Sequence, residues 1–284
     1  MIPFQKPDFS DWPHSTRNEV NTALRAAVSA GEMLHQAFYS EYKTYTKKDK
    51  SEFTPFDEQA EVIAKSVINI SEPNAIIMSE ELFPCQDVCG MDFWTIDGID
   101  GTTNFSRGIP VCNFTISKVI GGEIAVGVVF DFLHGELFFA VRNGGAYLNG
   151  KRIRVQNRKF SESVITFAPL LDVRSGKGKK ENQSVAALWS GMKEISELSG
   201  RFHREFQSGG QELSWVASGK LDGYASSWTN PWDLSAGVLL VLEAGGIATN
   251  ILGEIWRPSF WGVIAGSPCV HGEMLKIFQK NFYQ

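Results

Sequence analysis

The sequence predicts a mixed α/β (α+β) protein, and three observations lead to this. Strand-like runs separated by glycine turns fill residues 112–155, as in an antiparallel sheet. Later apolar runs alternate between strand-like and helix-like segments, as in an α/β lobe. The length of 284 residues allows two closely packed lobes, which we expect at 1–155 and 156–284.

The first lobe is predicted to begin with two amphipathic helices. Apolar residues recur every three to four positions from Ser15 to about Tyr45, and a second helix spans Phe56 to Ile70. The polar segment KKDKSEFTPFD between them is typical of a loop. The predicted strands are NAIIMS (74–79), DFWTID (92–97), CNFTISKVI (112–120), EIAVGVVFD (123–131) and GELFFAVRN (135–143), followed by a hairpin in AYLNGKRIRV (146–155).

The second lobe is predicted from the same periodicities. Its strands are SVITFA (163–168), LDGYAS (221–226) and GVIAGS (262–267). Its helices are 181–198, SGGQELSWVASGK (208–220), DLSAGVLLVLEAGG (233–246) and Pro268 to about Phe282.

Composition excludes several classes of function. The formal net charge of −5 gives no basic footprint for nucleic acid. No apolar stretch reaches the ~20 residues of a membrane span, and the N-terminus has no apolar signal region. The four cysteines have no zinc or disulfide spacing. We therefore expect a cytoplasmic protein with free thiols and without a membrane partner.

Four acidic residues lie where α/β folds place their ligands. Glu80 and Asp97 end predicted strands, Asp100 precedes Gly101-Thr102-Thr103, and Asp233 is placed as the N-cap of an apolar helix. Taken singly, each fits an ordinary cap or turn. Asp97 and Asp100 together after a buried strand would repel each other unless a cation neutralised them. A hard divalent ion such as Mg²⁺ suits a set of oxygen ligands.

A phosphate site is predicted beside these acids. Gly101, Thr102 and Thr103 would present free backbone N–H groups at a helix start, and such groups bind anions. Metal-binding carboxylates next to an anion site indicate a metal-assisted phosphatase.

Several motifs then resemble the inositol monophosphatase family of Mg²⁺-dependent, lithium-sensitive phosphatases. The family's D-P-[IL]-D-G-[ST]-x-N-F signature reads DGIDGTTNF at 97–105, and its W-D-x-[AG]-[AG] to E-A-G-G element reads WDLSAGVLLVLEAGG at 232–246. SEEL (79–82), DKSEFTPFD (49–57) and GGAYLNGKRIRV (144–155) match further elements. The resemblance covers roughly residues 15–282 and implies a layered α/β/α/β/α sandwich, usually as a homodimer.

The resemblance also implies roles for individual residues. Glu80, Asp97, Asp100, Asp233 and the Ile99 carbonyl would hold about two or three Mg²⁺ ions, with Mn²⁺ as an alternative metal. The catalytic residues would be Glu80 and Thr102, which activate the attacking water, and Asp57 on a mobile loop, KKDKSE, that closes over the site. The substrate would contact Gly101, Thr102, Thr103, Ser226 and Asp233.

Three departures from the family pattern concern the substrate and the backbone. Gly98 replaces the proline between the two aspartates, so the backbone that carries the Ile99 carbonyl should be looser. Ser226 stands where inositol-specific members have a glutamate that binds substrate hydroxyls, and Gln207 stands at a usual glycine. The expected substrate is a small phosphorylated metabolite such as inositol monophosphate or a related sugar or polyol phosphate.

Other readings stay open at this point. Histidinol phosphate, fructose 1,6-bisphosphate and nucleotide phosphates are alternative substrates, and some bacterial members of the family act in RNA synthesis through protein contacts. GAYLNGK (145–151) fits a P-loop spacing, but Arg152 stands where Ser or Thr must bind Mg²⁺ and the context is a hairpin.

Overall fold

The computed structural model describes residues 17–47, 52–83, 88, 90–168, 179–199, 204–227, 230–260 and 262–282. The helices are α1 (Arg17–Phe38), α2 (Pro55–Ser71), α3 (Thr102–Ser106), α4 (Lys179–Ser199), α5 (Gly209–Ala217), α6 (Pro231–Glu243) and α7 (Pro268–Phe282). The strands are β1 (Tyr45–Thr46), β2 (Glu52–Phe53), β3 (Ile76–Ser79), β4 (Phe93–Asp100), β5 (Asn113–Ile120), β6 (Glu123–Asp131), β7 (Glu136–Val141), β8 (Gly145–Leu148), β9 (Lys151–Ile153), β10 (Ile165–Ala168), β11 (Gly223–Ser226), β12 (Ile247–Thr249) and β13 (Val263–Gly266). Within these ranges, no helix combines the length and hydropathy that crossing a membrane requires.

The described strands form two large sheets and one small one. The first large sheet has the order β3-β4-β5-β6-β7-β8-β9 and is antiparallel except for the parallel pair β3 and β4. The second has the order β10-β11-β13-β12, with β10 and β11 parallel. β1 and β2 form a short antiparallel ladder of their own.

Alternation along the strands gives each large sheet two apolar faces. On β6 and β7, Val128 and Phe139 pack with α1 and α2, whereas Val129 and Phe138 face the other way and pack with α5 and α6. On β11, Tyr224 faces the α5–α6 layer, and its neighbour Ala225 faces α4 and α7. The described elements are thus stacked as helix, sheet, helix, sheet, helix, which confirms the predicted layered fold.

Helix α6 is the apolar centre of this stack. Leu234, Val238 and Val241 are buried along it, in the layer between the two large sheets. A Cβ at Gly127 on β6 would lie 2.8 Å from the Ala236 Cα, so the absence of a side chain there lets α6 approach the sheet closely. This contact brings the first turn of α6 to the end of β4.

Most predicted elements are confirmed, and the differences are shifted element ends and short strands that the sequence did not predict. The first helix ends at Phe38 rather than near Tyr45, where the Ser40 N–H and hydroxyl both donate to the Ala37 carbonyl and close the last turn. The predicted loop KKDKSEFTPFD holds the short strand β2 and the start of α2, and its residues 48–51 lie outside the described ranges. Strand β12 was missed because three residues after a glycine pair carry almost no periodicity.

The P-loop alternative is excluded by the local fold. Residues 145–151 form β8 and the start of β9, which pair as an antiparallel hairpin rather than strand, loop and helix. The strands from Ile76 to Ile153 belong to the first large sheet and those from Ile165 to the second, while the division into lobes at residue 155 stays a prediction.

Candidate metal centre

Three carboxylates from three separate elements meet at one edge of the first large sheet. An oxygen from each of Glu80, Asp97 and Asp233 lies within 4.8 Å of the other two. Glu80 follows β3, and the parallel register pairs Ser79 with Ile96, which puts Glu80 beside Asp97. Asp233 arrives from the first turn of α6. The structure therefore brings together three of the four acids that the sequence singled out.

The electrostatics of this cluster are unfavourable without a cation. Burial and then the charges of Glu80, Asp100 and Asp233 raise the pKa of Asp97 well above its usual value. Burial and then the charge of Glu80 raise the pKa of Asp233 in the same way. Asp97 accepts a hydrogen bond from the Ile99 N–H at 2.9 Å. Asp233 accepts one from the Asn230 N–H at 2.8 Å, and the Asn230 side chain also opposes the rise of its pKa. Three oxygen donors without a histidine or cysteine form a set that a hard divalent cation such as Mg²⁺ fits.

Asp100 lies beside this cluster, and its carboxylate accepts hydrogen bonds from β5 and from the start of α5. Its Oδ2 accepts hydrogen bonds from Asn113 Nδ2 (2.7 Å), Ser208 Oγ (3.0 Å) and the Gly210 N–H (2.8 Å), and its Oδ1 accepts one from the Gly209 N–H (3.1 Å). Burial raises the pKa of Asp100 to about 6, and these hydrogen bonds oppose the rise. Since Oδ1 has one protein donor, it keeps lone-pair capacity that a metal ion could use.

The residues that hold Asp100 were not singled out from the sequence. Asn113 is a polar residue inside an otherwise apolar strand run, and Ser208-Gly209-Gly210 begins the predicted helix 208–220; these are the available signals. A Cβ at Gly210 would lie 3.0 Å from both Asn113 Oδ1 and Asp100 Oδ2, so this close approach favours glycine. More than 90 residues separate Asp100 from Ser208, and local patterns do not report such contacts.

Asp57 lies in a helix and not on a loop, which corrects the expectation from the sequence. It is the third residue of α2, and its Oδ2 accepts from the Thr54 N–H (2.9 Å) and the Thr54 hydroxyl (2.6 Å) in a capping box. Burial raises its pKa to about 6 against these hydrogen bonds. Pro55 begins the helix two residues earlier than Asp57, because proline is well suited to a first helical position.

Thr102 connects Asp57 to the end of β4. The Thr102 hydroxyl lies 2.9 Å from Asp57 Oδ1 and 3.0 Å from the Ile99 carbonyl oxygen, and it can donate its one proton to either. A Cβ at Gly98 would lie 2.4 Å from the Asp57 carbonyl oxygen. Gly98 is thus required by the close contact between β4 and the first turn of α2, a reason that the sequence did not show.

Asp233 is the third residue of α6 and not its N-cap, which is a second correction. Asn230 is the N-cap, and Pro231 takes the first helical position. The Thr115 hydroxyl donates to the Trp232 carbonyl at 2.8 Å and ties this helix start to β5. Asp233 is therefore fixed both by its own helix and by the sheet.

The predicted anion site is a short helix after a left-handed residue. Gly101 has φ 92° and is the N-cap of the five-residue α3, which begins at Thr102. Because α3 is so short, its dipole contributes little, and any anion would depend on the backbone N–H groups of the first turn. The role of Gly101, Thr102 and Thr103 toward phosphate stays a prediction.

Two further predicted features are only partly described. Ser226 ends β11, and its buried hydroxyl donates to the Ala168 carbonyl of β10 at 3.2 Å. In the predicted loop KKDKSE, Lys47 contacts Glu80 Oε1 at 3.0 Å and also contacts Glu81, while residues 48–51 lie outside the described ranges. The substrate role of Ser226 and the closure of the loop stay predictions.

Comparisons with known proteins show which family the chain is similar to. The chain is 33% identical over 252 residues to the Nus factor SuhB of Vibrio cholerae, with 88% of this chain and 91% of that protein covered. It is 30% identical over 265 residues to the inositol-1-monophosphatase of Mesorhizobium japonicum, with 92% and 96% covered. The structure of the IMPase of Thermotoga maritima matches with a TM-score of 0.78 at 26% identity, covering 94% of this chain and 98% of that one. The extragenic suppressor protein SuhB of Bartonella henselae matches with a TM-score of 0.80 at 26% identity, covering 93% and 99%. The sequence profile of the inositol monophosphatase family matches residues 16–282, and the chain belongs to that family.

Proposed function

We propose that the protein is a Mg²⁺-dependent phosphomonoesterase that hydrolyses a small phosphorylated metabolite, inositol monophosphate or a related sugar or polyol phosphate. The observation that carries the proposal is the meeting of Glu80, Asp97 and Asp233 in a partly buried cluster. Among the described residues, no lysine or arginine forms an ion pair with Asp97 or Asp233. Family membership and the similarity to an inositol-1-monophosphatase support the reaction class.

Glu80, Asp97 and Asp233 are the residues that would hold Mg²⁺, with Mn²⁺ as an alternative. Asp100 Oδ1 and the Ile99 carbonyl oxygen, which lies 3.0 Å from the Thr102 hydroxyl, each have a lone pair to add. About two or three ions in such a site would supply an activated water and neutralise charge on the phosphoryl group.

The residues around the cluster would place and deprotonate the attacking water. Glu80 has a carboxylate that can accept its proton, and the Thr102 hydroxyl can accept a hydrogen bond from the water while it donates to Asp57. Asp57 is fixed by two hydrogen bonds from Thr54, so it orients the Thr102 hydroxyl. The backbone N–H groups of Gly101, Thr102 and Thr103 would receive the phosphate oxygens.

The organic half of the substrate would contact Ser226 and Asp233. Ser226 is uncharged, so it offers no acid to the amine of a substrate such as histidinol phosphate, which makes that substrate less favoured. Histidinol phosphate, fructose 1,6-bisphosphate and nucleotide phosphates stay as alternatives within the same reaction. A homodimer, a cytoplasmic location, lithium inhibition at millimolar levels and two lobes that divide at residue 155 complete the proposal.

The test is a panel of about twenty phosphomonoesters assayed for phosphate release with Mg²⁺ and with EDTA. We expect Mg²⁺-dependent release from at least one sugar or polyol phosphate, and no release by Asp97→Asn. Absence of release from the whole panel with Mg²⁺ present would reject the enzyme.

A regulatory role through protein contacts is the second candidate function. It is favoured by one observation, the similarity to proteins named Nus factor SuhB, including that of Vibrio cholerae. A chain that binds Mg²⁺ in solution but releases no phosphate from the panel would support this role instead of the enzyme.

A further inference from the structure

We propose that Glu61 is a positioning residue that sets the backbone around Glu80 and so shapes the metal centre. The inference rests on the proposed function, since it concerns the residue that we assign to Mg²⁺. Glu61 lies on α2 with 1% of its surface exposed, and it does not itself belong to the carboxylate cluster.

The carboxylate of Glu61 binds the chain on both sides of Glu80. Its Oε2 accepts hydrogen bonds from the Ser79 hydroxyl at 2.6 Å and from the Leu82 N–H at 3.0 Å. Its Oε1 accepts one from the Glu81 N–H at 2.9 Å. One side chain therefore fixes the residue before Glu80 and the two residues after it.

The chain needs such a partner at this position. Strand β3 ends at Ser79, so its ladder with β4 does not pair the N–H groups of Glu81 and Leu82, and Glu61 is their described acceptor. The Ser79 N–H bonds to the Phe83 carbonyl at 3.2 Å, which closes a tight loop around residues 79–83. The Glu61 carboxylate bonds to three residues of this loop and so sets the position of the Glu80 backbone.

In the described part of the chain, the Glu61 carboxylate accepts hydrogen bonds from uncharged donors only. Its three donors are a hydroxyl and two backbone N–H groups, with no lysine or arginine among them. A buried carboxylate without a cation is costly to the free energy of folding. The three donors converge on two carboxylate oxygens. A glutamine side chain has only one acceptor oxygen, so Glu61→Gln would leave at least one of these donors facing an NH₂ group.

Glu72 provides a matched control at the end of the same helix. Its carboxylate accepts from Trp94 Nε1 at 2.8 Å and from Lys118 Nζ at 2.8 and 2.9 Å, so it also ties α2 to the sheet. Trp94 and Lys118 face each other near the start of β4, whereas Asp97 lies toward its end. Loss of this carboxylate removes a comparable tether without reaching the metal centre.

The experiment measures Mg²⁺ binding by isothermal titration calorimetry on the full chain, as wild type and as Glu61→Gln, Glu61→Asp and Glu72→Gln. We expect Glu61→Gln to weaken Mg²⁺ binding by about 10-fold, since groups that orient metal ligands typically contribute this much. Glu61→Asp, which keeps both oxygens, should recover part of the affinity. Glu72→Gln should lower the melting temperature but leave the Mg²⁺ affinity within about twofold.

The outcomes separate this inference from the proposed function. Wild-type Mg²⁺ affinity in a folded Glu61→Gln variant, or equal losses in Glu61→Gln and Glu72→Gln, would overturn the role of Glu61 while the metal centre stands. If both Glu61 variants fail to fold while Glu72→Gln folds, the carboxylate is a structural element and the inference fails. If the wild type binds no Mg²⁺, the proposed function fails first and Glu61 has no metal centre to shape.

Discussion

Two helices of this protein begin with the same four-residue pattern and use it differently. Thr54-Pro55-Phe56-Asp57 begins α2, and Asn230-Pro231-Trp232-Asp233 begins α6. In each, proline takes the first helical position and the aspartate at the third accepts the N–H of the N-cap residue, at 2.9 and 2.8 Å. The local sequence therefore places both carboxylates in the same way.

The surroundings of the two aspartates then separate them. Asp57 receives further hydrogen bonds from the Thr54 and Thr102 hydroxyls, and burial raises its pKa only to about 6. Asp233 faces Glu80 and Asp97, and burial together with the charge of Glu80 raises its pKa well above the usual value. The capping motif decides where a carboxylate points. Its tertiary partners decide whether protein donors satisfy it or a cation is needed.

The largest difference between the two aspartates is expected when each carboxylate is replaced by an amide in turn. Asp233→Asn should lower Mg²⁺-dependent phosphate release by at least about 1,000-fold, since several kcal/mol of metal stabilisation are lost. Asp57→Asn should lower it by about 10- to 100-fold, because Asp57 acts through Thr102. Steady-state assays at saturating Mg²⁺ measure both, and equal losses would contradict the distinction.

In Asp97→Asn, the effect on activity and the effect on thermal stability should differ. The substitution should abolish turnover like Asp233→Asn, yet the metal-free variant should unfold at or above the wild-type temperature, because carboxylate repulsion is relieved. Differential scanning calorimetry in EDTA checks this. Full activity in Asp97→Asn would remove Asp97 from the metal ligands.

A smaller effect is expected where β4 meets the first turn of α2. In Gly98→Ala, the new Cβ would lie 2.4 Å from the Asp57 carbonyl oxygen, so the helix start must shift. We expect a loss of about 1–3 kcal/mol in the free energy of unfolding, measured in urea. Gly98 has no positive φ, so the loss would come from the contact, whereas Gly245→Ala, with φ 86° and no neighbour within 4 Å of a Cβ, measures backbone strain without a contact for comparison. Wild-type stability in Gly98→Ala would show that the contact is not tight.

The free energy of unfolding of the metal-free protein should depend on pH because of the buried carboxylates with raised pKa values. The native pKa values of Asp97 and Asp233 are raised, and those of Asp57 and Asp100 are about 6, against about 4 for an unfolded aspartate. Between these values the native state binds more protons than the unfolded state, so stability falls as pH rises. Urea unfolding in EDTA should thus give a free energy lower by about 1–3 kcal/mol at pH 7.5 than at pH 5. A rise with pH would contradict the buried repulsion.

Local sequence patterns predicted much of this molecule, and particular residues show their limit. Apolar runs separated by turn residues located β5, β6 and β7, and the apolar run after Asp233 located α6. The family resemblance placed Asp57 on a mobile loop, whereas it lies in the first turn of α2, which begins at Pro55, one residue before the predicted start at Phe56. The local patterns also missed the Asn113, Ser208 and Gly210 donors to Asp100, since contacts between distant segments depend on how sheet and helices pack.

The central claim is that Glu80, Asp97 and Asp233 tolerate one another because a divalent cation binds between them. The most direct test is the thermal unfolding of the wild type and Asp233→Asn at pH 7.5, in EDTA and in excess Mg²⁺. The claim predicts a higher melting temperature with Mg²⁺ for the wild type and little change for Asp233→Asn. The expected gain in the wild-type free energy of unfolding is RT ln(1 + [L]/Kd), about 2.7 kcal/mol at 100 times Kd. The same Mg²⁺ response in both proteins, or none in the wild type, would contradict it.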